Sequence, residues 1–161
     1  MFNTIFNRGK MAASFPKKRI AAGALIFNED KILIVKPEYK DHWSFPGGVI
    51  ESFESPSEGL KREVKEEVGL EVQVVKPLVI EYLKRLKKDK KDESLQFLFL
   101  CKLAKGEKFS NIDLAKGEIS DYKFLPPKEA MKMISKRSAK RLKAGLKVLK
   151  NNGTLYLESK Y

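Results

Sequence analysis

The chemically loaded part of this sequence is one short run, Arg62-Glu63-Val64-Lys65-Glu66-Glu67. On a helix, positions i, i+3 and i+4 share a face, so Glu63, Glu66 and Glu67 project together. Three carboxylates held that close repel one another. Two surroundings tolerate them: solvent with basic neighbours, or a hard divalent cation that takes oxygen ligands. Mg²⁺ suits the second, because it takes a few carboxylates, keeps part of its water and bridges substrate phosphates. The run alone leaves both open.

The run stands inside a longer spaced pattern. Gly48, Glu54, Arg62, Glu63, Val64, Glu66, Glu67, Gly69 and Leu70 recur as G, five residues, E, seven residues, R-E-aliphatic, one residue, E-E, one residue, G-aliphatic. At average residue usage a chance match is on the order of one in a billion per starting position. The stretch resembles the Nudix box, with every fixed position met. Trp43-Ser44-Phe45-Pro46-Gly47-Gly48 is similar to the aromatic-x-x-Pro-Gly-Gly entry common in that family, and Glu51 stands at a frequently acidic position. The chain end resembles a bacterial branch of generic Nudix proteins. Phe53, Gly59 and Val68 depart from the common glycine, alanine and threonine. Phe53 is expected to alter the loop and the ceiling of the site, and Gly59 to cost about 1 kcal/mol against alanine in a helix.

The resemblance implies an α/β (α+β) fold, a Nudix-type α/β/α sandwich around a central mixed β-sheet. It implies hydrolysis of a phosphoanhydride bond in a nucleoside diphosphate linked to another moiety, such as a nucleoside triphosphate, a damaged nucleotide or a nucleotide sugar. Glu63, Glu66 and Glu67 would hold the divalent ions, Mg²⁺ with Mn²⁺ as a substitute. Gly48 would let the backbone approach metal and phosphate, with its carbonyl as a further ligand. Glu54 and Arg62 would pair and hold the loop against the helix. Water attacks phosphorus in such a reaction, and a general base takes its proton. The candidates are Glu66 or Glu63 from the box, or an acid beyond it: Glu118 ahead of Asp121. Two other readings stand beside this one, an RNA 5′-end pyrophosphohydrolase and a Nudix-fold binding module without turnover.

Substrate contacts are expected from the aromatic loop. Tyr39, Trp43 and Phe45 can stack on a base or pack on the core. Lys36 and Lys40 can meet a phosphate, and His42 is the only histidine.

These residues need a scaffold. Ile20–Phe27 and Lys31–Val35 read as a hairpin around Asn28-Glu29-Asp30, followed by a loop over 36–47. Ser55, Pro56 and Glu58 form a capping-box start, and Gly69 stops the helix at Val68. Leu70–Arg85 and Ser94–Leu103 read as strands joined by a solvated turn, KKDKKDE. Ser120–Leu125 is a further strand, Lys128–Ile134 and Ser138–Asn151 are helices, and Thr154–Leu157 is a last short strand. On the final helix Lys136, Lys140, Lys143, Lys147 and Lys150 form a basic stripe, with Arg137 and Arg141 beside it and Ala139, Leu142, Leu146 and Leu149 as the docking face.

The 161 residues, 42% of them hydrophobic, suit one domain with a sizeable core, here residues 19–161. Residues 1–18 hold no acid and read as a flexible tail. The net charge of +12 favours polyanionic partners, whether nucleotides, nucleic acid or anionic membrane surfaces, without choosing among them; the family resemblance implies a small nucleotide first and RNA second. No apolar run is long enough to span a bilayer, so no membrane partner is expected. The single cysteine, Cys101, lies in a strand, which points to a reducing, cytoplasmic setting.

Overall fold

The computed structural model describes residues 17–87 and 90–160. Strand β1 (Arg19–Asn28) turns through Glu29 and Asp30 into β2 (Lys31–Pro37). Helix α1 (Pro56–Val68) follows, then the long strands β3 (Val72–Lys87) and β4 (Lys90–Leu103). A single 3-10 turn at Phe109–Asn111 leads to β5 (Ile119–Leu125), α2 (Pro127–Met133), α3 (Lys136–Leu149) and β6 (Leu155–Lys160). The six strands form one mixed sheet in the order β5-β2-β1-β4-β3-β6. β1 runs parallel to β4, and β3 parallel to β6; the other pairs are antiparallel.

Alternation along β1 divides the core between two faces. Ala22, Ala24 and Ile26 pack with Leu60, Val64 and Val68 of α1. Leu25 packs on the other face with Ala130 of α2 and Leu142 of α3. Each fully buried Leu or Val contributes roughly 1.5–3 kcal/mol. The expected sandwich, a mixed sheet between helices, is the observed fold.

Helix α1 starts where its capping signals lie. Glu58 N–H donates to Ser55 Oγ at 3.3 Å, and Ser55 N–H donates to Glu58 Oε2 at 2.8 Å. Hydrogen bonding to Ser55 holds the Glu58 carboxyl below its usual range. Gly69 closes the helix at φ 74°, its N–H bonded to Lys65 O.

The charged tip differs from the sequence reading. β3 runs on to Lys87 and β4 begins at Lys90, so most of KKDKKDE is ladder rather than turn. Backbone pairing makes no demand on side-chain polarity, and cross-strand charges assist it. Arg19 pairs with Asp92 at 3.1 Å, and Lys18 pairs with Glu93. Lys18 is therefore anchored to β4, while 1–16 of the expected tail fall outside the described residues. α3 begins two residues earlier than expected because Ser135 caps it, accepting from Ser138 N–H at 3.1 Å. β6 extends to Lys160 by pairing with β3 through Lys84. The five lysines of the stripe, Lys136, Lys140, Lys143, Lys147 and Lys150, are all exposed. No helix among the described residues is long and apolar enough to cross a membrane.

Candidate active site

The loop before α1 is zipped onto β1. Ala24 N–H donates to Pro46 O at 2.8 Å, Ala22 N–H to Gly48 O at 2.9 Å and Ile50 N–H to Ile20 O at 2.9 Å. This holds Gly47 and Gly48 over the glutamate face of α1. Gly47 sits at φ 132°, and its N–H donates to Glu67 Oε2 at 2.7 Å. A Cβ on Gly48 would stand 2.4 Å from Glu63 Oε2, so only glycine admits that carboxylate. The Gly48 carbonyl already takes a strand bond from Ala22, which leaves it one lone pair for any further partner.

Arg62 is the hub of the rim. Its Nη2 lies 3.0 Å from Glu54 Oε1, and its Nη1 lies 3.0 Å from Glu63 Oε1 and 2.9 Å from Glu66 Oε2. Nη2 also donates to Val49 O at 3.2 Å. The bond to Glu54 does most to raise this guanidinium above its ordinary range. Glu54 in turn rests on the helix where Gly59 leaves room; a Cβ there would meet Glu54 Oε2 at 2.5 Å. The glycine that propensity disfavours thus seats the loop carboxylate.

The three glutamates are not equivalent. Glu67 is 6% exposed, and burial pushes its carboxyl up to about 7 against the opposing pull of the Gly47 N–H. The charges of Glu63 and Glu118 add to the rise, and Lys40 lowers it. Burial also raises Glu63, offset by Arg62 and reinforced by Glu66 and Glu118. Glu66 stays at the solvent edge, its side chain 55% exposed and tied to Arg62. The reason is geometric: a face shared by i, i+3 and i+4 has two edges, and only one of them docks under the glycine loop.

Glu63, Glu67 and Glu118 line one cleft of about 590 Å³, together with Tyr39, Lys40, His42 and Phe45. Other expected contacts lie elsewhere. Trp43 packs against the core beside α2, its backbone N–H donating to Met133 O at 3.2 Å, with Lys123 Nζ 4.9 Å from the ring. Lys36 turns its ammonium onto Lys40 O. Asp121 accepts from Tyr122 N–H at 2.8 Å on the exposed side of β5, outside the cleft lining. Phe53 stands fully in solvent at φ 67° and forms no ceiling over the site. The cleft also takes in Arg19, Arg85, Arg137 and Arg141. No spacing connects Arg19 or Arg85 to the box; only strand register brings them there.

Among the described residues, no three His, Cys, Asp or Glu side chains are drawn together as a ready-made metal site. The donor set still fits a hard divalent ion. Burial raises the Glu63 and Glu67 carboxyls, the charge of Glu63 adds to the rise at Glu67, and the cation bridging Glu63 and Glu66 is Arg62.

A model of the NUDIX domain matches residues 17–145. The chain belongs to the Nudix family. It is 36% identical over 124 residues to an RNA pyrophosphohydrolase from a Nitratiruptor species, covering 70% of this chain and 79% of that one. To the 8-oxo-dGTP diphosphatase of Proteus vulgaris it is 38% identical over 60 residues, 35% of this chain and 54% of the other. The crystal structure of a UDP-X diphosphatase superposes with a TM-score of 0.71 at 24% identity, over 92% of this chain and 70% of that one, which speaks for the fold. This Nudix chain is a hydrolase of pyrophosphate bonds in nucleoside diphosphate derivatives. Nudix hydrolases generally work with divalent metal ions.

Proposed function

We propose that this Nudix hydrolase cuts its phosphoanhydride at the Glu63–Glu67–Glu118 end of the cleft, with Mg²⁺ as the working ion and Mn²⁺ as a substitute. The observation that carries the reading is Glu67: a buried carboxylate bonded to Gly47 N–H, under the charge of two further glutamates. Glu63, Glu67 and, from the solvent edge, Glu66 would hold the ion, with Gly48 beside them. The ion supplies an acidified water and neutralises charge on the leaving phosphate. Glu118 is the preferred proton acceptor, because it lines the cleft while Glu66 faces solvent. Arg62 and Glu54 position these carboxylates. Tyr39, Phe45 and Lys40 line the path to them and suit a base, a ribose and a phosphate.

A small nucleotide is the leading substrate. A triphosphorylated RNA 5′ end is the second reading, supported by the name of the Nitratiruptor relative and by the lysine stripe of α3. A reducing, cytoplasmic setting is supported by the sequence's single cysteine, Cys101, which has no partner for an internal disulfide.

Phosphate release from a nucleotide panel with Mg²⁺, followed for wild type and for Glu67→Gln, Glu118→Gln and Glu66→Gln, tests the reading. Glu67→Gln is expected to lower kcat/KM by about a hundredfold or more. Glu118→Gln should flatten the acidic limb of the pH profile, where a general base loses activity by taking up a proton. Activity of Glu67→Gln within about threefold of wild type would remove this site from the chemistry.

A further inference from the structure

The cleft does not end at its carboxylates. On the sheet face that carries α3, Arg19, Arg85 and Gln96 line it together with Arg137, Ser138 and Arg141 from the first turns of that helix. Register places the strand residues on one floor. Arg19 pairs with Ser94, Ser94 with Leu83, and Arg85 lies two residues beyond Leu83. Alternate residues of a strand share a face.

Among the described residues, the charge of the lining itself is one-sided at this end. Among the described residues, four arginines line it, and no acid of β1, β3, β4 or α3 does. Arg141 and Arg19 have acidic neighbours behind the lining. Arg141 Nη1 lies 3.5 Å from Oε2 of the fully buried Glu81, and Arg19 Nη2 lies 3.1 Å from Asp92 Oδ2. Arg85 Nε is buried and meets no hydrogen-bond partner among the described residues. A buried donor left unmet is unfavourable until something accepts from it. Helix α3 points the same way. Its first turn holds Lys136 and Arg137 and no acid, although a helix N-terminus already carries partial positive charge. Local stability favours acids at that position, and an anion would relieve both features.

We infer that this arginine end is a second anion subsite, taking a phosphate group of the substrate other than the diphosphate being cut. The inference rests on the proposed reading only in that the diphosphate occupies the carboxylate end. The two ends are joined through β1: Arg19 lies three residues from Ala22, whose N–H holds the Gly48 carbonyl. Three strand residues span about 10 Å. The chemistry required is a phosphate beyond the nucleotide's own diphosphate, either a terminal phosphomonoester or the first phosphodiester of an oligonucleotide. Guanidinium forks suit both.

Calorimetric binding without metal separates this from the catalytic reading, since it needs no turnover. The probes are adenosine 5′-monophosphate, adenosine 3′,5′-bisphosphate and the dinucleotide pApA. The proteins are wild type, Arg85→Gln and Arg137→Gln, each checked for folding by thermal melting. Arg141 is left intact because its loss would strand Glu81. Wild type is expected to bind the bisphosphate or the dinucleotide at least about fivefold more tightly than the monophosphate, and at least one folded variant should bring that ratio near one. A gain with the bisphosphate alone assigns the subsite to a terminal phosphate; a gain with pApA assigns it to a chain. A wild-type ratio under about fivefold for both probes, or a ratio kept by both variants, overturns the inference. Hydrolysis assays on the same proteins bear on the catalytic reading separately.

Discussion

Gly48 and the Glu63 carboxylate are in contact, with the space of one methyl group missing between them: a Cβ on Gly48 would come 2.4 Å from Glu63 Oε2 and 2.5 Å from its carboxyl carbon. Glu63 is also tethered to Arg62 at 3.0 Å, so it has little freedom to step aside. Gly48→Ala should therefore displace the carboxylate rather than unfold the chain. We expect kcat/KM to fall by about a hundredfold, the size seen when metal-supporting groups are disturbed. The thermal midpoint should stay within a few degrees of wild type. Full activity in the alanine variant would show that Glu63 need not sit where it does.

Arg62 reaches Glu54, Glu63, Glu66 and Val49 O with one planar fork. A lysine keeps the charge and loses the fork. Arg62→Lys is expected to weaken Mg²⁺ activation about tenfold, read from the metal concentration at half-maximal rate. Its stability loss should be about 1 kcal/mol or less, because the guanidinium is partly solvated. An unchanged metal dependence would confine Arg62 to a surface ion pair.

The buried Glu67 makes the metal-free protein sensitive to pH. Its folded-state carboxyl lies at about 7, above the ordinary 4.5. Between those values the folded chain holds a proton that the unfolded chain has released. Stability from this group is thus present below the unfolded value and is lost as pH rises toward 7. Denaturant melts in EDTA should show a fall over that window, and Glu67→Gln should flatten it. Added Mg²⁺ should also reduce it, by binding the charged form. A metal-free stability that rises from pH 4.5 to 7, identically in wild type and Glu67→Gln, would contradict the buried acid.

Phe53 occupies left-handed backbone at φ 67° with its ring fully in solvent. A bulky residue there carries about 1–2 kcal/mol of steric strain, and glycine does not. After glycine's entropic penalty, Phe53→Gly should raise stability by up to about 1 kcal/mol, read by chemical denaturation. A loss of stability would mean that the ring has a partner.

Local signals made much of this protein legible. The capping box, Gly69 and the Nudix spacing locate α1 and its glutamates because helix starts, stops and faces are set within a few residues. The pairing of Glu54 with Arg62 was implied by the family pattern, and the two lie 3.0 Å apart. The place of Trp43 was not legible: an aromatic in a loop reads alike whether it stacks on a ligand or packs beside α2. The charged tip misled for a related reason, because composition reports solvation while an antiparallel ladder is decided by the partner strand.

By itself, then, the sequence determined the helix, the family pattern and the acids able to serve it, all matters of near neighbours along the chain. Only tertiary structure decided that Glu67 is buried while Glu66 faces water, that Glu118 rather than Asp121 reaches the cleft, and that four arginines share its far end. Those outcomes depend on which edge of α1 meets the glycine loop and on how β1, β3, β4 and α3 come into register. No local propensity encodes a contact between segments so far apart in the chain.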